Sequence, residues 1–117
     1  MGQFYQAGIS SLVVATNKIY TGSRNQIFRH GRFAILTVVF GVTTACDGGE
    51  LLFTMPQGYK ARGSKQQIGE SVYTYARCDD GSIGLFTVNG NGISSEVVLP
   101  AQSVWRMTGV YVVDVYQ

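Results

Sequence analysis

The residue types that most often carry out catalysis are scarce in this sequence. His30 is the single histidine, so a Ser-His-Asp or Cys-His arrangement would depend on it, and no nucleophile motif accompanies it. A zinc site could use the donor atoms of four residues, but their spacing matches no zinc-ligand pattern: Cys46, Cys78, His30 and Asp47. The stretch 79–82 (DDGS) resembles the start of a calcium loop and lacks the later ligands. The sequence therefore predicts no enzyme activity, no metal and no cofactor.

A second set of side chains is suited to binding a saccharide. Aromatic rings cover the apolar faces of a sugar, while charged and amide groups form hydrogen bonds with its hydroxyls. The chain has seven tyrosines and one tryptophan, and alternation over Ser71–Arg77 places three of the candidates on one strand face. The predicted saccharide-binding residues are Trp105, Tyr73, Tyr75, Arg77, Asp80 and His30.

Each of these aromatic residues also has a purely structural interpretation. A single tryptophan in a small β-domain usually lies in the core or at a subunit interface, so Trp105 could do either. Tyr73 and Tyr75 could form a cross-strand ladder that binds nothing. His30 could be an ordinary polar residue of a loop. The sequence leaves these alternatives open.

Composition indicates one globular domain of 117 residues, with 45% hydrophobic and 14% charged residues. The net charge is +2 and the basic residues are scattered, which argues against nucleic acid as a partner. No secretory leader is visible, and the apolar run 33–42 is too short to span a membrane as a helix, so we expect a soluble domain. Cys46 and Cys78 could form a disulfide or remain buried thiols.

Arg32–Thr43 is the most apolar stretch and reads as a strand because β-branched and aromatic residues dominate it. An antiparallel strand with one solvated face would alternate, whereas here the odd and the even positions are both apolar. We therefore expect this strand to be covered on both sides, by an opposing sheet and by a partner subunit or a loop. This is the sequence argument for an oligomer.

The rest of the chain consists of short strand patterns separated by turn signals. We predict a loop or one helical turn at Ser23–His30, a reversal at Asp47–Gly49, a corner at Pro56–Gly58, a long polar loop over 57–70 and a second reversal at Cys78–Gly81. Further strands are predicted at Leu12–Thr16, Ile19–Thr21, Glu50–Thr54, Ser71–Arg77, Ser82–Val88, Ile93–Leu99 and Ser103–Val115, with a hairpin at Asn89–Gly92 and a bulge at Gly109.

These seven or eight strands predict an all-β fold, either an antiparallel β-sandwich or a barrel. We expect one domain over 1–117, in which 1–11 could be a lead-in from an upstream stalk.

The run 49–60 (GELLFTMPQGYK) resembles a phrase near the C-termini of tail-fibre and baseplate proteins of tailed bacteriophages, where a strand ends in Leu/Met-Pro-x-Gly-Tyr-Arg/Lys. An Asp-Gly-x-Ile strand follows in such proteins, as at 80–83 here, and a closing strand with Trp or Tyr ends the domain. The resemblance covers about residues 31–113. Ala61 stands where the family usually has proline.

This resemblance implies a homotrimeric receptor-binding head at the tail tip of a virion, assembled in the host cytoplasm beside other tail or baseplate proteins. Such heads attach the virion to bacterial surface saccharides, and the family supplies no catalytic residue to carry over. Met55, Pro56, Gly58 and Tyr59 match its motif and are expected to be architectural. Alternatives are a structural module that trimerises and caps a fibre, and a carbohydrate-binding accessory domain of a bacterial protein.

Overall fold

The computed structural model describes residues 9–62 and 72–114 of the chain. Its regular elements are eight antiparallel strands, which confirms the all-β prediction. They are β1 (Val13–Val14), β2 (Ile19–His30), β3 (Phe33–Val42), β4 (Leu51–Thr54), β5 (Val72–Cys78), β6 (Ile83–Asn89), β7 (Gly92–Ser95) and β8 (Val104–Val112).

The strands form a single sheet in the order β1-β4-β7-β6-β5-β8-β3-β2. The two ends of this sheet approach each other, because Ser10, just before β1, forms an antiparallel bridge with Ile27 of β2. The Asn25 side chain adds two hydrogen bonds to the backbone of Leu12 at the same seam. Of the two architectures that the sequence allows, the chain therefore adopts a nearly closed barrel.

Strand β3 lies where its apolar pattern predicts. One side points into the barrel, and its five side chains are buried: Ala34, Leu36, Val38, Phe40 and Val42. The other side faces outward, where Phe33 is 51% exposed and Ile35 and Val39 are half-buried. Whether a partner subunit covers that second side, as the sequence indicates, stays a prediction.

The prediction of a loop or helical turn at Ser23–His30 is wrong, because β2 continues to His30 and pairs with β3 along most of its length. Ile27 is fully buried and its two neighbours in sequence are exposed, as a strand requires. The pairing register shifts between Thr21 and Asn25. The inserted residues break the period of two on which a strand prediction depends.

The turns after β3 and β4 follow the predicted backbone chemistry. Gly49 has a φ of 88°, and the Glu50 amide donates to the Asp47 carbonyl at 3.2 Å. Strand β4 ends before Pro56, and the Tyr59 amide donates to the Pro56 carbonyl across Gly58, whose φ is 90°. A positive φ at the third position is the requirement of a type II turn.

The reversal at Asp47–Gly49 does not make neighbours of the strands on its two sides. Strand β4 pairs with β1 and β7, and β3 pairs with β2 and β8. The segment after β3 thus carries the chain across the end of the barrel. Within it, the backbone of Cys46 forms an isolated antiparallel β-bridge with Leu99.

The two later turns are confirmed. Asn89 pairs with Gly92 around a two-residue turn, and the Gly81 amide donates to the Cys78 carbonyl at 2.9 Å in the β5–β6 turn. The prediction of a bulge at Gly109 is wrong, because β8 pairs with β3 in unbroken register through that residue. Of the predicted long loop 57–70, only the part up to residue 62 lies within the described residues. The predicted strand ends at Ser71 and Val115 lie outside them.

An edge-to-face chain of aromatic rings occupies the middle of the core. Phe40 contacts Phe53 and Phe86 with ring-centroid distances of 5.4 and 6.1 Å, and Phe86 contacts Trp105 at 6.0 Å. These separations are typical of favourable aromatic pairs. The core therefore links β3, β4, β6 and β8 across the interior.

Both cysteines are buried and neither forms a disulfide, so the buried-thiol alternative describes this structure. Burial raises the pKa of the Cys46 thiol, and the nearby Glu50 carboxylate adds to that shift. Among the described residues, none belongs to a helix long and apolar enough to cross a membrane.

Candidate functional site

Strand β5 presents three of the predicted binding residues on the outside of the barrel. Tyr73 is 58% exposed and Tyr75 is 64% exposed, and Arg77 is exposed beside them. Thr74 and Ala76, between them, point inward and are buried. The alternation predicted for this strand is confirmed, and two aromatic faces and one guanidinium group share a surface.

Trp105 is not part of that surface. Its side chain is 3% exposed, and the indole Nε1 donates a hydrogen bond to the Ser103 hydroxyl at 2.9 Å. Along β8 the odd positions 105 and 107 point inward, so the ring packs in the core against Phe86. The buried alternative is the one observed, and Trp105 offers no face to a sugar in this structure.

Asp80 and His30 lie at different ends of the barrel. The Asp80 carboxylate accepts hydrogen bonds from the Ser82 hydroxyl at 2.6 Å and from the Ser82 amide at 2.8 Å. These bonds lower the pKa of Asp80 and stabilise the β5–β6 turn. His30 ends β2 and pairs with Phe33. Phe33 is six residues from Val39 along β3, roughly 20 Å at the rise of a strand, so His30 is remote from Arg77.

Strand register places Arg77 in a row with a second arginine. Arg77 of β5 lies directly opposite Arg106 of β8, and Arg106 lies opposite Val39 of β3. Both arginine side chains are exposed on the outer face. Residues opposite each other on antiparallel strands have Cα atoms about 5 Å apart, so the two guanidinium groups emerge from adjacent points of the wall.

A third arginine continues this row on β2. The residues between Thr21, which pairs with Phe40, and Asn25, which pairs with Val38, are inserted opposite Val39. They are Gly22, Ser23 and Arg24, and Arg24 is exposed. Because Val39 has this bulge on one side and Arg106 on the other, the outer wall carries an arginine row made of Arg24, Arg106 and Arg77.

A shallow groove of about 250 Å³ lies beside the arginine row. Its lining includes Tyr20, Ser23, Arg24, Val39, Gly41 and Val104. The Tyr20 ring lies so close to Gly41 that an added Cβ atom there would overlap the ring. The absence of a side chain at Gly41 thus allows an exposed aromatic ring to form one wall of the groove.

The arginine row lacks neutralising partners within the ranges 9–62 and 72–114. None of its three side chains makes an ion pair or a hydrogen bond there; the salt bridge found in this part of the chain joins Lys18 Nζ to Glu50 Oε1 at 3.1 Å. Like charges directly opposite each other on a sheet are destabilising. The acidic side chains nearest to Arg77 in sequence are Asp79 and Asp80, in the turn after β5. The surface is therefore suited to an external anion.

The other half of the same wall is apolar. Ile35 of β3 lies between Phe28 of β2 and Val110 of β8, and Phe33 pairs with Val112 in the next row. Val110 is 55% exposed, and Phe28 and Phe33 are also exposed. We call these five residues the apolar patch. Thr37, which pairs with Thr108, separates the patch from the arginine row.

A second groove, of about 410 Å³, lies on the side of the barrel formed by β4 and β7. Its lining is Gly49, Leu51, Thr54, Asn89, Asn91, Gly92 and Ser94. It has amide and hydroxyl groups but neither a charged side chain nor an aromatic ring. The outer wall of β2, β3, β8 and β5 is the better candidate because it has both.

Sequence reasoning missed Tyr20, Arg24 and Arg106. Arg106 had a usable signal, because the neighbour of a buried tryptophan on a strand must face outward. Arg24 falls in the segment Ser23–His30, whose strand was not predicted, and Tyr20 lies on the short predicted strand just before it. That the three arginines align depends on which strands are adjacent, and no local pattern reveals this.

The described residues contain no group of three or more His, Cys, Asp or Glu side chains placed to hold a metal ion. Comparison with protein-family models, with curated proteins and with solved structures finds no match to this chain. Its function must therefore be argued from the outer wall itself.

Proposed function

We propose that this chain is a non-enzymatic head domain that attaches a bacteriophage virion to a saccharide on the host cell surface, as a homotrimer. The observation that supports saccharide binding is the exposure of Tyr73 and Tyr75 on the outer face of β5, beside Arg77. Large aromatic side chains are normally buried to a greater extent than this. The resemblance of 49–60 to tail-fibre and baseplate heads supports the phage context.

The outer wall has the chemistry that sugar binding requires. The tyrosine rings provide apolar faces for the C–H surfaces of a sugar, and guanidinium groups donate hydrogen bonds to its hydroxyl and ring oxygens. Strands hold these side chains at a fixed spacing, so little conformational freedom of the backbone is lost on binding. The site is an open outer wall with a shallow groove, which suits a polymer better than a small molecule.

A second candidate function is a structural module that trimerises and caps a fibre, and the apolar patch favours it. Exposed apolar residues that adjoin on three strands are typical of a protein interface. Both functions require the trimer. They differ in whether the exposed side chains of β5 bind a saccharide.

Binding to bacterial polysaccharides tests the proposed function. The purified chain is screened against arrayed capsular and cell-wall polysaccharides, and we expect binding to at least one of them. The variant Y73S/Y75S should then lose that binding while its circular dichroism spectrum stays unchanged, because both side chains point away from the core. V98S serves as the control, because Val98 is 63% exposed and lies outside β5.

Two results would contradict the proposal. The first is a correctly folded chain that binds none of the polysaccharides. The second is a Y73S/Y75S variant that binds as the unchanged chain does but forms a less stable oligomer, which would favour the structural module.

A further inference from the structure

The arginine row indicates the charge of the ligand, which the tyrosines do not indicate. Arg77 and Arg106 lie opposite each other on the adjacent strands β5 and β8. Arg24 lies in the bulge of β2, on the other side of Val39. Three cations on one side of a protein with a net charge of only +2 are a local concentration of charge. An apolar or uncharged ligand would not reduce the repulsion between them.

We propose that the arginine row binds carboxylate groups of an acidic polysaccharide on the bacterial surface, with Tyr20 and Tyr75 covering sugar rings on either side. This inference rests on the proposed attachment to a host saccharide and defines its chemical class. A guanidinium group pairs with a carboxylate through two parallel N–H···O bonds, which are stronger than hydrogen bonds to a neutral hydroxyl. A uronic-acid polymer supplies such a carboxylate on each charged sugar.

The placement of the aromatic rings favours a polysaccharide over other polyanions. Tyr75 is two residues from Arg77 on the same face of β5, and Tyr20 lines the groove that contains Arg24. One ring therefore stands at each end of the row. Nucleic acid would need a longer basic stripe than three arginines that span four strands.

The row is also long enough to contact several sugars of one polysaccharide. Neighbouring strands lie about 4.8 Å apart, so the bulge of β2 and β5 are separated by three strand spacings, roughly 14 Å. The ligand would run across the strands, over Val39, from the groove at Tyr20 to Tyr75. This direction is at right angles to the strand axes.

A matched pair of polymers tests the charge requirement. The full chain is titrated by calorimetry with polygalacturonate and with the same polymer after methyl esterification, which keeps the sugars and removes the charge. We expect at least about tenfold weaker binding to the ester, because each charge-assisted hydrogen bond is worth more than its neutral counterpart. Binding to polygalacturonate should weaken between about 0.05 and 0.5 M NaCl as screening increases.

A matched pair of variants tests the location. R77Q/R106Q should weaken binding to polygalacturonate at least about tenfold, since two of the guanidinium groups are lost. R32Q/R62Q removes two exposed arginines outside the row and lowers the net charge equally, so it should bind within about twofold of the unchanged chain. R77K/R106K keeps the charge and should bind with intermediate affinity, because lysine cannot form the two-pronged contact.

The inference is overturned if the chain does not bind polygalacturonate, if it binds the ester equally well, or if R77Q/R106Q binds as R32Q/R62Q does. These outcomes are separable from the proposed function. Binding to arrayed bacterial polysaccharides that survives in R77Q/R106Q would leave receptor attachment standing and remove the arginine row from it. A single-stranded oligonucleotide that binds as tightly as polygalacturonate would show a general anion surface and would also overturn the inference.

Discussion

At the scale of single residues, Asn25 replaces backbone pairing at the seam of the barrel. Its side-chain Nδ2 donates to the Leu12 carbonyl and its Oδ1 accepts from the Leu12 amide, both at 2.9 Å. An amide side chain offers the same donor and acceptor pair as a peptide group. Asn25, at the end of the bulge in β2, thus holds the residue that precedes β1 against β2.

Replacing Asn25 should weaken the barrel at this seam. N25A leaves the Leu12 amide and carbonyl without their partner, so we expect the free energy of unfolding to fall by about 1–3 kcal/mol. N25D should restore one of the two hydrogen bonds at neutral pH and fall between N25A and the unchanged chain. Urea denaturation measures these differences, and Q26A at the exposed neighbour is the control. An N25A variant as stable as Q26A would contradict this role.

Tyr111 gives a second residue-scale prediction, on pH dependence. Its hydroxyl donates to the Tyr59 carbonyl at 2.5 Å in the core, and burial raises the pKa of Tyr111 above its usual value. Above about pH 10 the unfolded chain ionises this tyrosine while the folded chain keeps the proton, so the unfolded state is favoured as pH rises. The stability that Tyr111 contributes is therefore complete below pH 10 and is lost above it.

The variant Y111F tests this linkage. At pH 8 we expect it to be about 1 kcal/mol less stable than the unchanged chain, because the Tyr59 carbonyl loses its donor. At about pH 10.5 the difference should shrink, since phenylalanine has no proton to lose. Denaturation at both values measures it, with Y73F as the exposed control. A difference that is constant or grows with pH would be inconsistent with the assignment.

At the scale of elements, the contact between β5 and β8 explains a glycine whose role was predicted wrongly. Thr74 points inward from β5 and donates its hydroxyl to the Thr108 carbonyl at 3.1 Å. A Cβ atom added at Gly109 would lie 2.8 Å from Thr74 Oγ1. Gly109 therefore gives space for Thr74 within a regular strand instead of forming a bulge. This packing supports the strand pair that carries Arg77 and Arg106.

The pair Thr74 and Gly109 should behave as one unit. G109A inserts a methyl group against Thr74, and overpacking of this kind costs about 1–3 kcal/mol of stability. T74A should relieve much of that loss in the double variant, giving a measurable coupling energy in a thermodynamic cycle. G22A is the control, because no atom lies within 4 Å of a Cβ at that position. Additive effects of the two substitutions would refute the proposed packing.

At the scale of the whole molecule, the outer wall is divided into two surfaces of different chemistry. The apolar patch lies at the β2–β3 turn, and the arginine row lies toward the other end of the same strands. A trimer that packs three apolar patches around its axis would leave the arginine rows at the periphery. One wall can in this way serve both assembly and ligand binding.

The oligomeric state tests this division. We expect a native mass of three chains for the unchanged protein, and a mass of one chain for F33S/V110S, because both substitutions place a polar group in the apolar patch. V13S/V98S, at exposed valines outside the patch, should remain trimeric. Sedimentation equilibrium or native mass spectrometry measures the result. A monomeric unchanged protein would exclude the trimer, and a trimeric F33S/V110S would place the interface elsewhere.

Local chemistry alone determined much of this protein. The turn residues of the Asn89–Gly92 hairpin and the Pro56–Gly58 corner predict reversals, because proline fixes φ and glycine tolerates the positive φ that tight turns need. Alternation over Ser71–Arg77 predicts which side chains share a face, and it places Tyr73, Tyr75 and Arg77 correctly on one surface. The all-β class follows from many such signals together.

Only the tertiary structure decided what those pieces form. The order of the strands, the closure of the barrel and the alignment of Arg24, Arg106 and Arg77 depend on pairings between residues far apart in the chain. The burial of Trp105, which the sequence left open, was likewise settled by packing, because its ring lies against Phe86 in the core. Pairing energy is similar for many strand neighbours, so the fit of the whole core selects among them, and that fit is not visible in any local stretch of sequence.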